Sequence, residues 1–253
     1  MNFNKISKII LSFFILLTGF SSTVFLILNK SAIKSKFSKP VGKSEVALSL
    51  EEDEKWANNL KKGGYILFFR HAERDKWLDV KMYDALELDV DKNNKKGTKF
   101  GENEYYAAAV CLSEKGKVQA KAMGEVIEIS KIPIGHVFTS PSCRARQTAQ
   151  FAFGRYDFID KNLINRSSKK VFKQKQRAYL RNLLLEIPMK PGTNTVISSH
   201  NGVFGNPLLL LKGPKLTTEE GGFFVISNED NKLDLKHTFY NFANFSKEFF
   251  PRN

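Results

Sequence analysis

The chain has 253 residues, with 40 lysines and arginines against 26 acidic residues, which gives a formal net charge of +14. Hydrophobic residues make up 42% of it, enough to bury a core, so wholesale disorder is excluded. Its two cysteines exclude a disulfide-rich scaffold and a four-cysteine zinc site. The length suits one α/β domain of ordinary size, or at most two small ones.

The excess positive charge is concentrated in two stretches. Residues 1–43 carry seven lysines and no acid, and residues 161–181 carry eight basic residues and no acid. No helix-turn-helix, zinc-finger or RNA-recognition signature accompanies this charge, so we expect no nucleic-acid partner. The second stretch is typical of a solvated helix face, and docking on anionic lipid headgroups is its alternative interpretation.

Residues 1–30 have the pattern of a signal or membrane-anchor segment. Ile9–Leu28 is a run of 20 residues without a charge, long enough to cross a bilayer as a helix. A cleaved signal peptide is the alternative, because small residues succeed a shorter apolar stretch at 18–22. We expect an N-terminal hydrophobic helix, association with a membrane and export of the remainder of the chain. The lysines of the predicted linker at 31–48 favour the opposite orientation.

Four helices are predicted in residues 49–253, the predicted folded domain. Ser49, with Glu52 three residues later, is typical of a helix N-terminus. Ser113 caps the second helix. The inward face of that helix is predicted to carry Val118, Ala122, Val126 and Ile129. The other two helices are predicted over about 142–153 and about 170–186.

Short apolar runs alternate with these helices and are typical of buried strands. They lie at 65–69, 136–139 and 195–198, and two further runs at 223–226 and 233–237 predict a hairpin. Strands that alternate with helices imply an α/β fold, here a three-layer αβα sandwich with a mostly parallel central sheet. After the first strand, residues of about 74–106 are polar and acidic without a period, which predicts a long surface insertion.

Three of the predicted strands end in polar residues: Arg70-His71, Ser140 and His200. In such sheets a ligand binds beyond the carboxyl ends of the strands, so we expect these ends to converge on one crevice. Arg144 lies in the first turn of the helix after the second strand. Guanidiniums, imidazoles and a helix N-terminus together suit a tetrahedral dianion. A neutral imidazole is also a competent nucleophile toward phosphorus.

Four motifs, in this order, resemble the histidine phosphatase (phosphoglycerate mutase-like) superfamily across about residues 63–240. They are Arg70-His71-Ala72-Glu73, the helix start Leu112-Ser113-Glu114-Lys115-Gly116 with Gln119-Ala120, the segment Ser140–Ala149, and Ser199-His200-Asn201. The resemblance implies that His71 is the nucleophile and becomes phosphohistidine. It implies that Arg70 and Arg144 bind the phosphoryl oxygens and that His200 donates a hydrogen bond to the same group. It implies neither a metal nor a cofactor.

The general acid is where the chain departs from the family's patterns. Acid phosphatase members place Asp directly after the second histidine, where Asn201 stands here. Other members carry a Glu near the position of Asn165. Glu73 is the first candidate acid, because it leaves the same strand end as His71. Glu220 and acids of the insertion are the alternatives.

The resemblance predicts a phosphatase that hydrolyses a phosphomonoester or a related phosphorylated compound through a phosphohistidine. A phosphomutase is less favoured, since Ala72, Arg74 and Trp77 stand where mutase members carry Gly, Ser and Asn. The missing acid leaves open a binding module that holds a phosphorylated ligand without turning it over. An electrostatic adaptor for membranes or nucleic acid is the remaining alternative.

Residues beside these motifs have ordinary structural interpretations. His136 and His237 lie within predicted strands without a matching motif. Arg146 is predicted on the opposite side of its helix from Arg144, as a surface or ion-pair residue, with a phosphate ligand as the alternative. Cys143 is predicted as small packing, with redox sensitivity or a bond to Cys111 as the alternatives.

Overall fold

A six-stranded sheet with helices on both faces organises the protein, and the α/β class predicted from the sequence is confirmed. The computed structural model describes residues 43–74, 111–165, 170–204 and 216–247. The elements in chain order are α1 (Lys43–Leu60), β1 (Ile66–Arg70), α2 (Glu114–Ile129), β2 (Ile134–Thr139), α3 (Cys143–Phe153), β3 (Phe158–Ile159), a 3₁₀ turn (Lys161–Leu163), α4 (Lys170–Glu186), β4 (Asn194–Ser199), α5 (Asn201–Phe204), β5 (Phe223–Glu229), β6 (Lys232–Phe239) and α6 (Phe242–Lys247).

The sheet is mixed, with strand order β3-β2-β4-β1-β5-β6. The first four of these are parallel neighbours, while β5 pairs antiparallel with β1 and β6 pairs antiparallel with β5. The predicted hairpin is therefore confirmed. Asp230 and Asn231 form its two-residue turn with φ of 51° and 58°, the left-handed values that a tight hairpin turn requires.

Apolar side chains of β1 alternate between the two faces of the sheet, as a strand buried on both sides demands. Leu67 and Phe69 join a core with residues of α1, α2, α3 and α6. Ile66 and Phe68 join a second core with α4 and α5 on the opposite face. These two cores fix the strand ends rigidly at the edge where the polar residues emerge.

The face that α2 buries differs from the predicted one. Val118 and Ile129 are 67% and 63% exposed, and the buried positions of the helix are Gly116, Ala120, Met123, Val126 and Ile127. Close approach explains the rotation: a methyl group on Gly116 would collide with the carbonyl of Glu73, and one on Gly124 with the carbonyl of Ala152. Tertiary contact at small residues therefore outweighs the apolar stripe.

The predicted cap of α2 and the predicted end of α3 agree with the structure, whereas the predicted start of α1 does not. Ser113 caps α2 by accepting a hydrogen bond from Gly116 N, and Gly154 ends α3 with a φ of 69°. The predicted start at Ser49 is wrong, because α1 begins at Lys43 and takes in the end of the predicted linker. No proline or glycine between 43 and 60 interrupts it.

Two predicted segments lie outside the described residues: the hydrophobic segment 1–30, and nearly all of the insertion at 74–106. Contacts within the chain divide it into two compact units, residues 1–49 and 50–253. Among the described residues, no helix combines the length and the apolar character that a bilayer crossing requires.

Candidate active site

The carboxyl ends of β1, β4 and β2 lie side by side, as predicted. Arg70 is in register with Ser199, and Thr139 is in register with Ser198. Beyond those pairs, the His71 amide donates to Ser199 O at 3.0 Å and the Ser140 amide donates to Ser198 O at 2.9 Å. Hydrogen bonds of the sheet thus continue one residue past the strands and hold the polar residues in one row.

This row brings together three of the four predicted pocket residues in direct proximity. The rings of His71 and His200 lie with centroids 5.2 Å apart. The Arg144 guanidinium extends from helix α3 to the residue that follows β4, with Nη2 3.3 Å from His200 Nδ1. All three side chains are buried. Arg70 extends from the end of β1 and keeps a quarter of its side chain exposed.

One ring nitrogen of His71 has a fixed partner. Nδ1 lies 2.7 Å from the carbonyl oxygen of Ala72. A carbonyl only accepts, so Nδ1 carries the hydrogen and donates it. In the neutral ring Nε2 then has the lone pair. This arrangement presents Nε2 as a nucleophile.

His200 has partners on both ring nitrogens. Arg144 can only donate, so His200 Nδ1 accepts its hydrogen bond and Nε2 carries the ring hydrogen. Two hydroxyl oxygens lie within reach of Nε2, Ser140 Oγ at 3.2 Å and Ser142 Oγ at 3.1 Å. Ser142 is the N-cap residue of α3, yet its side chain makes no capping bond and faces His200. The Ser142 hydroxyl thus contacts the imidazole and does not cap the helix.

Burial lowers the pKa of both imidazoles well below the ordinary histidine value, because it disfavours the charged form. The positive charge of Arg144 lowers both further, and Arg70 and Arg74 act in the same direction. The hydrogen bond to Ala72 O opposes the shift at His71 only. Both rings are therefore neutral at physiological pH, and the neighbouring arginine charges favour that neutral form.

Motif residues that do not face the pocket hold its walls together. Thr148 Oγ accepts from the Ala72 amide at 2.9 Å and donates to Arg144 O at 2.7 Å. Gln119 joins the Glu73 amide to Glu220 O, at 2.9 Å on each side. The loop after His71 is thus tied to α3 and α2 by side chains that the sequence motifs contain.

A disulfide joins Cys111 to Cys143 across a sequence separation of 32 residues. The expectation that Cys143 serves as small packing is therefore wrong, and the alternative bond to Cys111 is what forms. The bond attaches the segment before α2 to the residue directly preceding Arg144. The surface position predicted for Arg146 is also wrong: this side chain is buried, with Nε donating to Pro141 O at 3.0 Å.

The loop before β5 contributes a carboxylate to the site. Arg70 Nη1 donates to Thr218 O at 2.7 Å, and Arg70 Nη2 lies 3.2 Å from Glu220 Oε1. Asn201 fastens the same loop, since its Nδ2 donates to Thr218 O at 2.6 Å. Its Oδ1 accepts from the Thr218 hydroxyl at 3.1 Å. Asn201 therefore fixes the loop at Thr218, at the position where acid phosphatase patterns have an acid.

Glu73, the first candidate acid, is anchored through its backbone. Its amide donates to Gln119 Oε1 and its carbonyl accepts from the Ser113 amide at 3.2 Å. Within the described ranges, no hydrogen bond or ion pair holds the Glu73 carboxylate. Its role as the acid stays a prediction.

Two contributors to the site were not predicted from the sequence. The sequence marks Arg74 only as a departure from the mutase pattern. In the structure its positive charge lowers the pKa of both imidazoles. Ser142 is notable in the sequence only as a helix start, and its position one residue before the Cys143-Arg144 pair was the available signal. In the part of the chain that the structure describes, no three His, Cys, Asp or Glu side chains cluster as metal ligands would.

Solved structures of low sequence identity resemble this chain. The protein histidine phosphatase SixA, complexed with tungstate, is 15% identical, with a TM-score of 0.46 over 70% of this chain and 96% of its own. A mycobacterial glucosyl-3-phosphoglycerate phosphatase is 16% identical, with a TM-score of 0.47 over 71% and 99%. A phosphoserine phosphatase from Entamoeba histolytica is 14% identical, with a TM-score of 0.47 over 72% and 98%. No curated protein matches the chain.

A family model covers the segment that carries the first three motifs. The model of the histidine phosphatase superfamily (branch 1) matches residues 66–164, from β1 to the turn after β3. The matched segment includes Arg70, His71 and Arg144, and His200 lies beyond it. The resemblance that the motifs predict is confirmed over residues 66–164, which match the model of the histidine phosphatase superfamily.

Proposed function

We propose that this protein is a phosphatase that hydrolyses a phosphomonoester or a related phosphorylated compound through a phosphohistidine on His71. The observation that carries the proposal is the His71 ring: it is buried, its Nδ1 hydrogen bonds to Ala72 O, and burial and the flanking arginines keep it neutral by lowering its pKa. Such a ring directs its Nε2 lone pair toward an anion that the same arginines attract.

The roles of the other residues are assigned from their chemistry. Arg144 and Arg70 neutralise the phosphoryl oxygens, whose negative charge is spread over the equatorial positions during transfer. The start of α3, which carries Arg144 in its first turn, adds the partial positive charge of a helix N-terminus. His200, neutral and protonated on Nε2, donates to the phosphoryl group in competition with the two serines.

The reaction has two steps. His71 Nε2 forms a bond to phosphorus while the bond to the leaving oxygen breaks. Water then attacks the phosphohistidine, releases phosphate and returns His71 to its neutral form. Fixed cations and positioned donors contribute most in such a reaction, because the transition state has little other covalent chemistry for the protein to perform.

Turnover of a chromogenic phosphate ester by the full-length chain tests the proposal. His71→Ala is expected to abolish turnover, a loss of at least about 1,000-fold, because it removes the ring that forms the covalent intermediate. His136→Ala is the matched control, since His136 lies on β2 beside Asp157 and Phe158. The control should retain wild-type turnover.

Full turnover by His71→Ala contradicts the proposal. A wild-type chain that binds phosphate but releases no product from esters or acyl phosphates supports the alternative of a non-catalytic binding module. Return of the phosphoryl group to a second hydroxyl of the substrate supports a phosphomutase.

The proposal includes an exported, membrane-associated protein whose insertion at 74–106 contributes to substrate choice. The buried disulfide supports export, since such bonds persist in oxidising compartments. Thiol labelling of the chain from its native cells should find both cysteines protected. Labelling of both without prior reduction contradicts export.

A further inference from the structure

The leaving oxygen of an alkyl or aryl phosphate needs a proton, and the motif positions that supply one elsewhere hold amides here. Asn201 has no titratable proton, and its amide is engaged with Thr218 through both its nitrogen and its oxygen. Asn165 lies beside Gly202 and is likewise an amide. The source of the proton must therefore be another residue.

Burial separates the remaining acids. Of the acidic residues that the structure describes, Asp53 and Glu220 alone are buried. Asp53 contacts His237 on β6, two strands away from β1. Glu220 lies at the end of β1, with Oε1 3.2 Å from Arg70 Nη2. Burial of a carboxylate is costly unless it is paired, and Arg70 supplies a cationic partner for Glu220 at this point.

We propose that Glu220 is the proton-transferring carboxylate of this site and that Asn201 is the residue that positions its loop. The inference rests on the proposed phosphatase function. It departs from the first candidate, Glu73, whose carboxylate has no such fixed position.

Backbone hydrogen bonds hold the loop of Glu220 against the end of β1, where the nucleophile lies. The amide of the next residue, Gly221, donates to His71 O at 3.1 Å and to Arg70 O at 3.3 Å. The Glu220 carbonyl accepts from Gln119 Nε2. On the other side, Asn201 fixes Thr218 from the position directly after His200. The loop that carries Glu220 is therefore held by the residues that follow both histidine-bearing strands.

The Arg70 contact explains how Glu220 changes its protonation during the reaction. Without substrate, the guanidinium neutralises the carboxylate. A dianionic phosphoryl group that binds Arg70 takes over this cation and places like charge beside Glu220, which favours the protonated carboxyl. Substrate binding thus favours the form of Glu220 that carries the proton for the leaving oxygen.

Each step balances. As the His71 Nε2–P bond forms and the P–O bond breaks, Glu220 gives its proton to the leaving oxygen, which departs as an alcohol. As a water oxygen attacks the phosphohistidine and the P–N bond breaks, the Glu220 carboxylate accepts the water proton. The second step restores the acid used in the first.

The test compares two aryl phosphates with the full-length chain. Phenyl phosphate has a basic leaving group that needs protonation, whereas 2,4-dinitrophenyl phosphate has a leaving group that departs without it. Glu220→Gln is expected to lower kcat/KM for phenyl phosphate at least about 100-fold and to change that for 2,4-dinitrophenyl phosphate less than about threefold. Glu219→Gln is the matched control, because Glu219 is the exposed neighbour in the same loop. It should change neither value.

A second variant separates positioning from proton transfer. Asn201→Ala is expected to show the same selective loss for phenyl phosphate, in a smaller degree. The pH profile of the wild-type chain keeps the inference testable even if Glu220→Gln fails to fold. The profile of kcat for phenyl phosphate, which reports groups in the enzyme–substrate complex, should show a basic limb that 2,4-dinitrophenyl phosphate lacks.

Equal losses for both esters in Glu220→Gln, no loss for either, or identical wild-type pH profiles overturn the assignment of Glu220 while the phosphatase proposal stands. A wild-type chain that turns over neither ester and gains no phosphoryl group on His71 overturns the phosphatase proposal and this inference with it. These two failures are therefore distinguishable.

Discussion

Two parts of the same sheet hold imidazoles in opposite electrostatic surroundings. At the carboxyl end of the parallel strands, His71 and His200 face arginines, and burial together with those charges keeps their pKa values low. On the antiparallel hairpin, His237 Nε2 lies 2.6 Å from the Asp53 carboxylate and its ring stacks on Trp56. The pocket imidazoles are thus kept neutral beside arginines, whereas His237 is paired directly with a carboxylate.

The difference shows that burial alone does not identify a reactive histidine. What distinguishes the pocket is the sign of the surrounding charge together with a helix N-terminus whose capping side chain is turned elsewhere. The Asp53–His237 contact instead joins α1 to β6 and serves the packing of the domain. Variants in each of the two regions test this contrast.

Replacing Arg144 by lysine should damage the pocket most among the changes that leave both imidazoles in place. Lysine keeps the charge but loses the planar guanidinium fork, to which the proposed mechanism assigns the pairing with two phosphoryl oxygens. We expect kcat/KM to fall about 100-fold or more and the affinity for inorganic phosphate to fall with it. Ester assays and calorimetry on the full-length chain measure both. Arg155→Lys, at an exposed ion pair with Asp157, should change neither.

Asp53→Ala should have the converse effect, on stability and not on turnover. It leaves His237 without its carboxylate partner, and we expect the free energy of unfolding to fall by about 1–3 kcal/mol. Urea unfolding measures the loss, and an ester assay on the folded variant should give wild-type turnover. Glu54→Ala, at the exposed neighbouring position, is the control. A large loss of kcat in Asp53→Ala would join the two regions and contradict the contrast.

Acidification should destabilise the protein through the pocket histidines. Their folded pKa values are low, while the unfolded chain regains the ordinary value of about 6.5. As pH falls below that value the unfolded state takes up protons that the folded state does not, so the free energy of unfolding decreases. Between about pH 6.5 and 5.5 we expect a loss of about 1 kcal/mol for each of the two histidines.

Urea unfolding at the two pH values checks this slope, and His200→Gln should remove about half of the pocket's share. A wild-type stability that stays constant or rises on acidification would show that these rings are already charged in the folded protein.

Much of the site could be predicted because its elements are local. Apolar runs that end in Arg70-His71 and His200 predict strands, and parallel strands place their carboxyl ends together. The contacts that could not be predicted are long-range. Nothing in the sequence near Cys143 specifies Cys111, and nothing near Asn201 specifies Thr218. Both pairs meet only because the sheet order brings distant loops together.

The α2 face and Arg146 show a second limit. An apolar stripe through Val118 and Ile129 predicts burial, but contacts at Gly116 and Gly124 rotate the helix so that both side chains are exposed. Arg146 is buried because the first turn of α3 is enclosed on more than the pocket side. Periodicity describes one helix, whereas burial depends on what packs against it.

The most direct test of the account is to look for a phosphoryl group on His71. The full-length chain is mixed with a phosphate ester, quenched in base within the first turnovers and digested for mass spectrometry. We expect an acid-labile, base-stable phosphoryl group on the peptide that contains His71, in the wild type and in His237→Ala but not in His71→Ala. Steady turnover with no phosphoryl group on His71 at any quench time would contradict the account.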